Sequence, residues 1–297
     1  MLKARTGIQK KRPSLMSKIC ELGSMCRLAH ERKDRSLAIL AVLFVSTALH
    51  AAPVGNTFAP ALIQKGLFIS SNSWINFRLG YEGDFVFDGR MKQVDQGQGR
   101  VDTYEQWTNS GTLTLNALDR LDVYGVFGSS HTEADWRFED SSLGTVTRIE
   151  LKTKDDFLWG IGGRAVLYEW CNTSLGVGGR YSRCNYLLES LHSNGIMQSV
   201  DGAHLHWDEW QVNLDLSYKI DLFTPYIGVK YSRAKTNLGN FAVPISADLS
   251  GANTFENRVL VGLYLGCSLS TGRYFMLNLE GRLIDEEAVT VSGDFRF

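Results

Sequence analysis

Trp210-Gln-Val-Asn-Leu-Asp-Leu-Ser-Tyr-Lys-Ile220 alternates without a fault. Trp210, Val212, Leu214, Leu216, Tyr218 and Ile220 are apolar or aromatic, and Gln211, Asn213, Asp215, Ser217 and Lys219 between them are polar or charged. A period of two marks a strand with one greasy face and one wet face. The pattern returns upstream, where Ile75, Phe77, Leu79, Tyr81, Phe85 and Phe87 are interleaved with Asn76, Arg78, Glu82 and Asp84. It returns downstream in Val259, Val261, Leu263, Leu265, Cys267 and Leu269. Gly111–Ala117, Leu121–Ser129, Phe157–Leu167, Thr173–Arg183, Pro225–Lys235, Tyr274–Leu283 and Ala288–Phe297 read the same way, which makes ten strands. These runs are roughly ten residues long, the length a tilted strand needs to cross hydrocarbon, where ordinary strands have about five or six.

The links alternate in length as well. Leu118–Arg120, Tyr168–Asn172, Asp221–Thr224 and Ser270–Arg273 are short, whereas residues 88–110, 130–156, 184–206 and 236–257 form long, polar connections. Short turns at one end, long loops at the other and aromatics near strand ends describe an antiparallel up-and-down transmembrane β-barrel. A soluble β-sandwich shares the alternation but not the strand length. Extra strands at Glu133–Glu139, Thr145–Lys152 and Phe241–Leu249 would raise the count.

Composition agrees. The 297 residues are 44% apolar and 21% charged, with 29 Gly against 5 Pro, which excludes a disordered or collagen-like chain. The net charge of −1 hides an asymmetry: residues 1–51 carry ten Lys/Arg and three Asp/Glu, leaving a net −8 on the remainder and no case for nucleic-acid binding. Ser36–Ala51 is a short apolar stretch preceded by Arg27, Arg32, Lys33 and Arg35 and followed by small residues, the layout of a secretory signal. We therefore expect a leader over residues 1–51, with the signal itself at about 25–51 and the upstream residues discarded or untranslated, and an outer-membrane barrel over residues 52–297.

In an exported chain only Cys171, Cys184 and Cys267 remain, an odd number in an oxidising compartment. Cys171 and Cys184 are the disulfide candidates, and Cys267, on the apolar face, reads as an inert small residue facing lipid. No C-x-x-C pair or Cys/His ligand spacing suggests a structural zinc, and neither metal nor cofactor is expected. His204-Leu-His206-Trp-Asp208-Glu209, with His192 nearby, is the one cluster that would suit an outer-membrane hydrolase, although no Gly-x-Ser-x-Gly nucleophile motif accompanies it.

Several stretches resemble the chlamydial major outer membrane porin family: Pro53-Val-Gly-Asn56, Tyr81-Glu-Gly-Asp-Phe-Val-Phe-Asp88, Leu115-Asn116 with Asp119-Arg-Leu-Asp-Val123, Gly163-Arg-Ala165 and Glu209-Trp-Gln211. The two strongest are Phe223-Thr-Pro-Tyr-Ile-Gly-Val-Lys-Tyr-Ser-Arg-Ala234 and the ending from Arg282-Leu-Ile-Asp-Glu286 through Phe295-Arg-Phe297. The resemblance implies an outer-membrane porin of about sixteen strands. It also implies a homotrimer and a structural role through disulfides to cysteine-rich envelope proteins. This chain departs from the family in its shorter loops and fewer cysteines. The barrel reading assigns outer-membrane lipid, ions and small solutes as partners. Its wet face assigns Arg78, Glu82, Asp84, Arg164, Asp215, Lys219, Lys230, Arg258, Glu280 and Arg282 to the lumen, together with Asn76, Asn213, Asn278, Asp294 and Arg296. A wide lumen makes a passive diffusion pore; a ten-strand barrel is nearly plugged and tends toward a structural envelope role.

Overall fold

The computed structural model describes residues 53–63, 74–94, 98–140, 145–240 and 254–297. Fourteen strands occur among them: β1 (Ile75–Gly89), β2 (Met91–Gln93), β3 (Gln98–Ala117), β4 (Leu121–Asp140), β5 (Thr145–Thr153), β6 (Asp156–Trp170), β7 (Thr173–Ser193), β8 (Ile196–Met197), β9 (His204–Tyr218), β10 (Phe223–Gly239), β11 (Thr254–Asn257), β12 (Val261–Ser270), β13 (Phe275–Leu283) and β14 (Glu286–Arg296). Ten of them close a ring in the order β1-β3-β4-β6-β7-β9-β10-β12-β13-β14, every pair antiparallel, with β14 returning to β1 over Arg78↔Arg296 through Gly89↔Glu286. These are the ten strands of the alternating runs.

The other four strands widen the sheet only at the long-loop end: β5 lies between the outer parts of β4 and β7, β8 pairs with β7, and β11 joins β10 to β2. They add nothing to the circumference, so the ring closes at ten rather than sixteen. Of the three suspected extra strands, Glu133–Glu139 is the outer part of β4 and Thr145–Lys152 is β5, while Phe241–Leu249 lies outside the described residues.

Strand β9 shows why the long links read as loops. Facing inward are Leu205, Trp207, Glu209, Gln211, Asn213, Asp215 and Ser217, all buried; facing outward are His204, His206 and Asp208, then Trp210, Val212, Leu214, Leu216 and Tyr218. The alternation never breaks, but its phase inverts at Glu209/Trp210. Inner to that point the outward face is apolar and the inward face polar, as lipid demands; beyond it the wall stands in water and the apolar side turns inward. Strands β7 (Tyr181/Arg183) and β10 (Tyr231/Arg233) invert at the same height, and the outer inward-facing residues pack a core that includes Met91, Tyr104, Trp136, Ile149, Leu151, Cys184, Tyr186, Leu191, Leu205, Trp207 and Phe255. The long connections are therefore strands of a water-exposed β-cup.

Aromatics mark both edges of the apolar band. At the outer edge Trp159 meets Tyr181 with ring centroids 5.8 Å apart, and Trp210 meets Tyr231 at 5.4 Å. At the inner edge Tyr168 meets Trp170 at 5.4 Å and Phe295 meets Phe297 at 5.5 Å. From Trp210 to Tyr218 the apolar outward face spans nine residues, the length a tilted strand needs to cross the hydrocarbon layer. No helix among the described residues is long and apolar enough to cross a membrane, and the crossing belongs to strands.

This inversion fixes where charge is tolerated on the outer wall. Leu214→Arg, at mid-band, is expected to cost about 2–4 kcal/mol of folding free energy in lipid vesicles. His206→Arg, four strand positions beyond Trp210 on the same outward face, is expected to change it by no more than about 0.5 kcal/mol. Equilibrium refolding of both variants checks the difference, and equal costs would contradict the inversion.

Candidate functional site in the barrel lumen

Every strand of the ring sends alternate side chains inward, and through the apolar band these are mostly polar, with Val126, Val166, Met276 and Ala288 among the exceptions. Ten strands enclose a lumen little wider than the interior of an eight-strand barrel, which side chains alone fill. A charge there has lost its water and must find a partner of opposite sign. The pairs stack in levels along the axis.

Nearest the short turns, Asp122 of β4 forms an ion pair with Arg78 of β1 and accepts from Arg164 of β6, whose Nε lies 2.8 Å away, and Asn116 Nδ2 donates to the same carboxylate at 2.7 Å. Arg296 pairs with Asp119 in the β3–β4 turn at 2.8 Å. At mid-height Arg180 of β7 reaches Glu82 of β1 at 2.8 Å, and Arg282 of β13 grips both oxygens of Asp84 at 2.8 and 3.0 Å. Thr290 joins that second pair, accepting from Arg282 and donating to Asp84, each at 2.7 Å. Toward the outer edge Lys230 sits between Asp285, at 3.0 Å, and Glu286. The carboxylates outnumber the cations. Among the described residues Asp84, Asp122, Glu209, Asp215, Glu280, Asp285, Glu286 and Asp294 are buried, against Arg78, Arg180, Lys230, Arg282 and Arg296.

A further strip of chain occupies the same lumen. Residues Pro53–Ile63, ending in the short helix α1 (Ala59–Leu62), run inside the ring from the level of Gln211 to the short-turn mouth. The two oxygens of Glu280 accept from the backbone N–H groups of Val54 (3.0 Å) and Gly55 (2.8 Å). Asp215 accepts from the Thr57 N–H at 3.0 Å and from its hydroxyl. Carbonyl groups of the strip accept from Gln211, Arg78, Asn116 and Arg296. Phe58, Ala59, Ala61, Leu62 and Ile63 pack on Val166 and Met276 of the wall. Two small cavities adjoin these groups. One cavity of about 30 Å³ lies among Val54, Glu82, Tyr124, Arg164 and Asp294, and another of about 30 Å³ among Tyr104, Gln106, Glu209, Asp285 and Glu286. Each has room for a water or two.

Of the residues assigned to the lumen from sequence, Arg78, Asp84, Asp215, Lys230, Glu280 and Arg282 are buried inside the ring, and Glu82 and Arg164 are there with slight exposure. Lys219 stands at the inner rim, one residue past β9. Arg258 is exposed just past β11, outside the ring: its alternation with Val259 and Val261 belongs to a connection, because β12 begins only at Val261. Asp122, Arg180, Asp285 and Glu286 join the set although their short or glycine-rich surroundings hid them. The strip Pro53–Ile63 has no period at all, and beyond the resemblance at Pro53–Asn56 it stands out only by the lack of any charge.

The histidine cluster does not converge. His204, His206 and Asp208 face outward, with His206 Nε2 3.8 Å from Asp208, whereas Glu209 points into the lumen and His192 pairs in register with Glu150 of β5. No group of three or more His, Cys, Asp or Glu that could hold a metal occurs among the described residues. Cys184, a disulfide candidate by sequence, has a free thiol enclosed in the outer apolar core, where burial pushes it up to about 12. It offers nothing to another chain because no partner sulfur can reach it. Cys171 lies exposed in the β6–β7 turn at the short-turn end, with φ 53°.

The family described as Chlamydia major outer membrane protein matches residues 193–248. The major outer membrane porin of Chlamydia trachomatis serovar B is 24% identical over 389 aligned positions, covering 89% of this chain and 99% of that protein. The Chlamydia muridarum porin is 26% identical over 399, with the same coverage. Alignments this much longer than the 297-residue chain place insertions in the relatives, in keeping with the shorter loops here. The chain is thus similar to these porins along nearly its whole length. Among solved structures, an outer membrane channel of Pseudomonas putida F1 superposes with a TM-score of 0.38 at 10% identity, covering 83% of this chain and 100% of that one.

The packing of the lumen yields two expectations. Arg282→Met strands Asp84 beside Glu280 and Glu286 and should cost about 3–5 kcal/mol in urea unfolding of the micelle-bound barrel, of which adding Asp84→Asn recovers part. Cys184→Ser should leave maleimide labelling of the folded protein unchanged, since the thiol is both protonated and enclosed; a lost label would place Cys184 at the surface.

Proposed function

We propose that this relative of the chlamydial porins is an outer-membrane channel that passes ions and small solutes passively, with a preference for cations. One observation carries the reading: the inward face is predominantly polar and charged through the height of the apolar band. A barrel serving only as a rigid envelope element is better stabilised by an apolar filling, because buried ion pairs replaced by well-packed hydrophobic groups are commonly neutral or stabilising. Retaining eight buried carboxylates against five cations across a membrane is the pattern of a wall that meets ions.

The sign of that surplus sets the preference. Carboxylate groups lining a narrow path lower the energy of a cation and raise that of an anion, and the low-dielectric wall strengthens both effects. Lys230 is the cation nearest the outer end of the charged series, where Glu209, Asp285 and Glu286 also lie. The protein is not an enzyme on this reading, since its His and carboxylate groups outside the lumen are dispersed over a water-facing wall and converge on no common point.

Refolded protein in a planar bilayer under a potassium chloride gradient should show small stepwise conductance with a reversal potential on the potassium side, and Lys230→Gln should move it further that way. A chloride-side reversal potential would refute the preference, and the absence of steps under every voltage would refute the channel.

A further inference from the structure

Residues 53–63 are held as a ligand is held. The ring is complete without them: no ladder pairs the strip with any strand, and all ten strands satisfy their edges among themselves. Yet the wall is shaped and charged for this strip. Glu280 offers one oxygen to each of two consecutive backbone N–H groups, and Asp215 takes both the backbone and the hydroxyl donor of Thr57. Arg78 and Arg296 donate to the carbonyl groups of Ala59 and Ile63 at the other end. Carboxylates thus face N–H groups and guanidinium groups face carbonyls, the complement of an uncharged peptide.

The shape agrees with the charge. A Cβ added at Gly176 of β7 would lie 2.6 Å from Thr57 Cβ, so the wall is bare of side chain where the strip bears one. Gly55, with φ +71°, takes a left-handed conformation open to glycine, and a Cβ there would come within 3.1 Å of Arg164 Nη1.

We propose that the lumen is a peptide-binding site whose occupant is the chain's own segment 53–63, and that release of this segment toward the short-turn mouth opens the conducting path. The ligand class is an uncharged segment presenting consecutive free N–H groups. The opening half of the proposal rests on the channel reading given above; the binding half does not. With the strip in place, the cavity beside Val54 and Gly55 admits a water or two, and so does the one nearer the outer end of the lumen. With the strip withdrawn, the path has the width of a peptide chain and is lined by Asp215, Glu280, Arg78 and Arg296, all of which water can solvate. The strip's polar contacts are thus exchanged for hydration instead of being lost, which makes release thermodynamically accessible.

The test uses the full chain. Val54→Pro with Thr57→Pro removes one of the strip's two N–H donors to Glu280 and both of Thr57's donors to Asp215 while leaving the ring untouched; Thr57→Ser keeps them. Thr57→Cys with Gly176→Cys ties the strip to β7 once the two positions relax apart to disulfide distance. Single-channel recording should give the double-proline variant a several-fold higher mean conductance than wild type, the serine variant wild-type behaviour, and the cysteine pair a conductance that is low when oxidised and rises on reduction. Equal conductance of the double-proline variant and wild type, or of the oxidised and reduced pair, overturns the gating proposal. Hydrogen exchange of the Gly55 and Thr57 amides in the wild-type protein reads the site independently of current. Slow exchange in a protein that never conducts keeps the peptide site and discards the channel, whereas fast exchange discards the site whatever the current.

Discussion

The pairing of β14 with β1 is the constraint from which the rest follows. In hydrocarbon an open strand edge leaves a row of N–H and C=O groups with no partner, at several kcal/mol each, so a sheet can cross a membrane only when closed. Here closure comes at ten strands, with Leu79↔Phe295 and Phe85↔Val289 in register and the final amide, Phe297 N–H, donating to the Phe77 carbonyl at 3.1 Å. Ten strands set the diameter, and the diameter sets the lumen: too narrow for free water, wide enough for side chains from all sides to meet. From that narrowness come the paired charges, and from the gap they leave along the axis comes a berth for Pro53–Ile63.

A second consequence is that one strand serves two solvents. The β9 alternation runs unbroken from His204 to Tyr218, yet its apolar members turn inward above Glu209 and outward below Trp210. The wall has no freedom to twist a face away, so only the choice of residue can follow the change from water to lipid. The outer cup consequently resembles a soluble β-protein, with Trp136 packed edge-on to Phe255 at 5.1 Å and ion pairs such as Arg137–Asp102 facing out at 2.5 Å. The lipid-crossing part inverts this, with ion pairs inside and Leu214 or Val229 outside.

The same inversion explains what could be read from sequence and what could not. Where the apolar face met lipid, the pattern at Trp210–Ile220 or Ile75–Phe87 was enough to find the strands, because two-residue alternation depends only on the wall's two faces. Beyond the outer aromatics, polar outward residues such as His204, His206 and Asp208 read as loop or as a catalytic cluster, and of the long connections only Glu133–Glu139 and Thr145–Lys152 among the described residues read as candidate strands. In the lumen, Arg78, Asp84 and Arg282 were legible because they sit within long regular runs. Their partners were legible only in part, since Asp122 and Asp285 lie beside turns and pairing across the ring has no local signature. The strip 53–63 was invisible as a luminal element, because its fit depends on acceptors such as Asp215 and Glu280, more than a hundred residues away in the chain.

The closed ten-strand ring is tested most directly across its seam. In protein folded in lipid vesicles, Leu79→Cys with Phe295→Cys places two thiols opposite each other on neighbouring strands and should oxidise to an intramolecular disulfide in high yield, while Leu79→Cys with Val291→Cys, displaced by four residues, should not. Failure of the first pair, or equal yield from the second, would mean that β14 does not return to β1 in this register and that the barrel is not the one described.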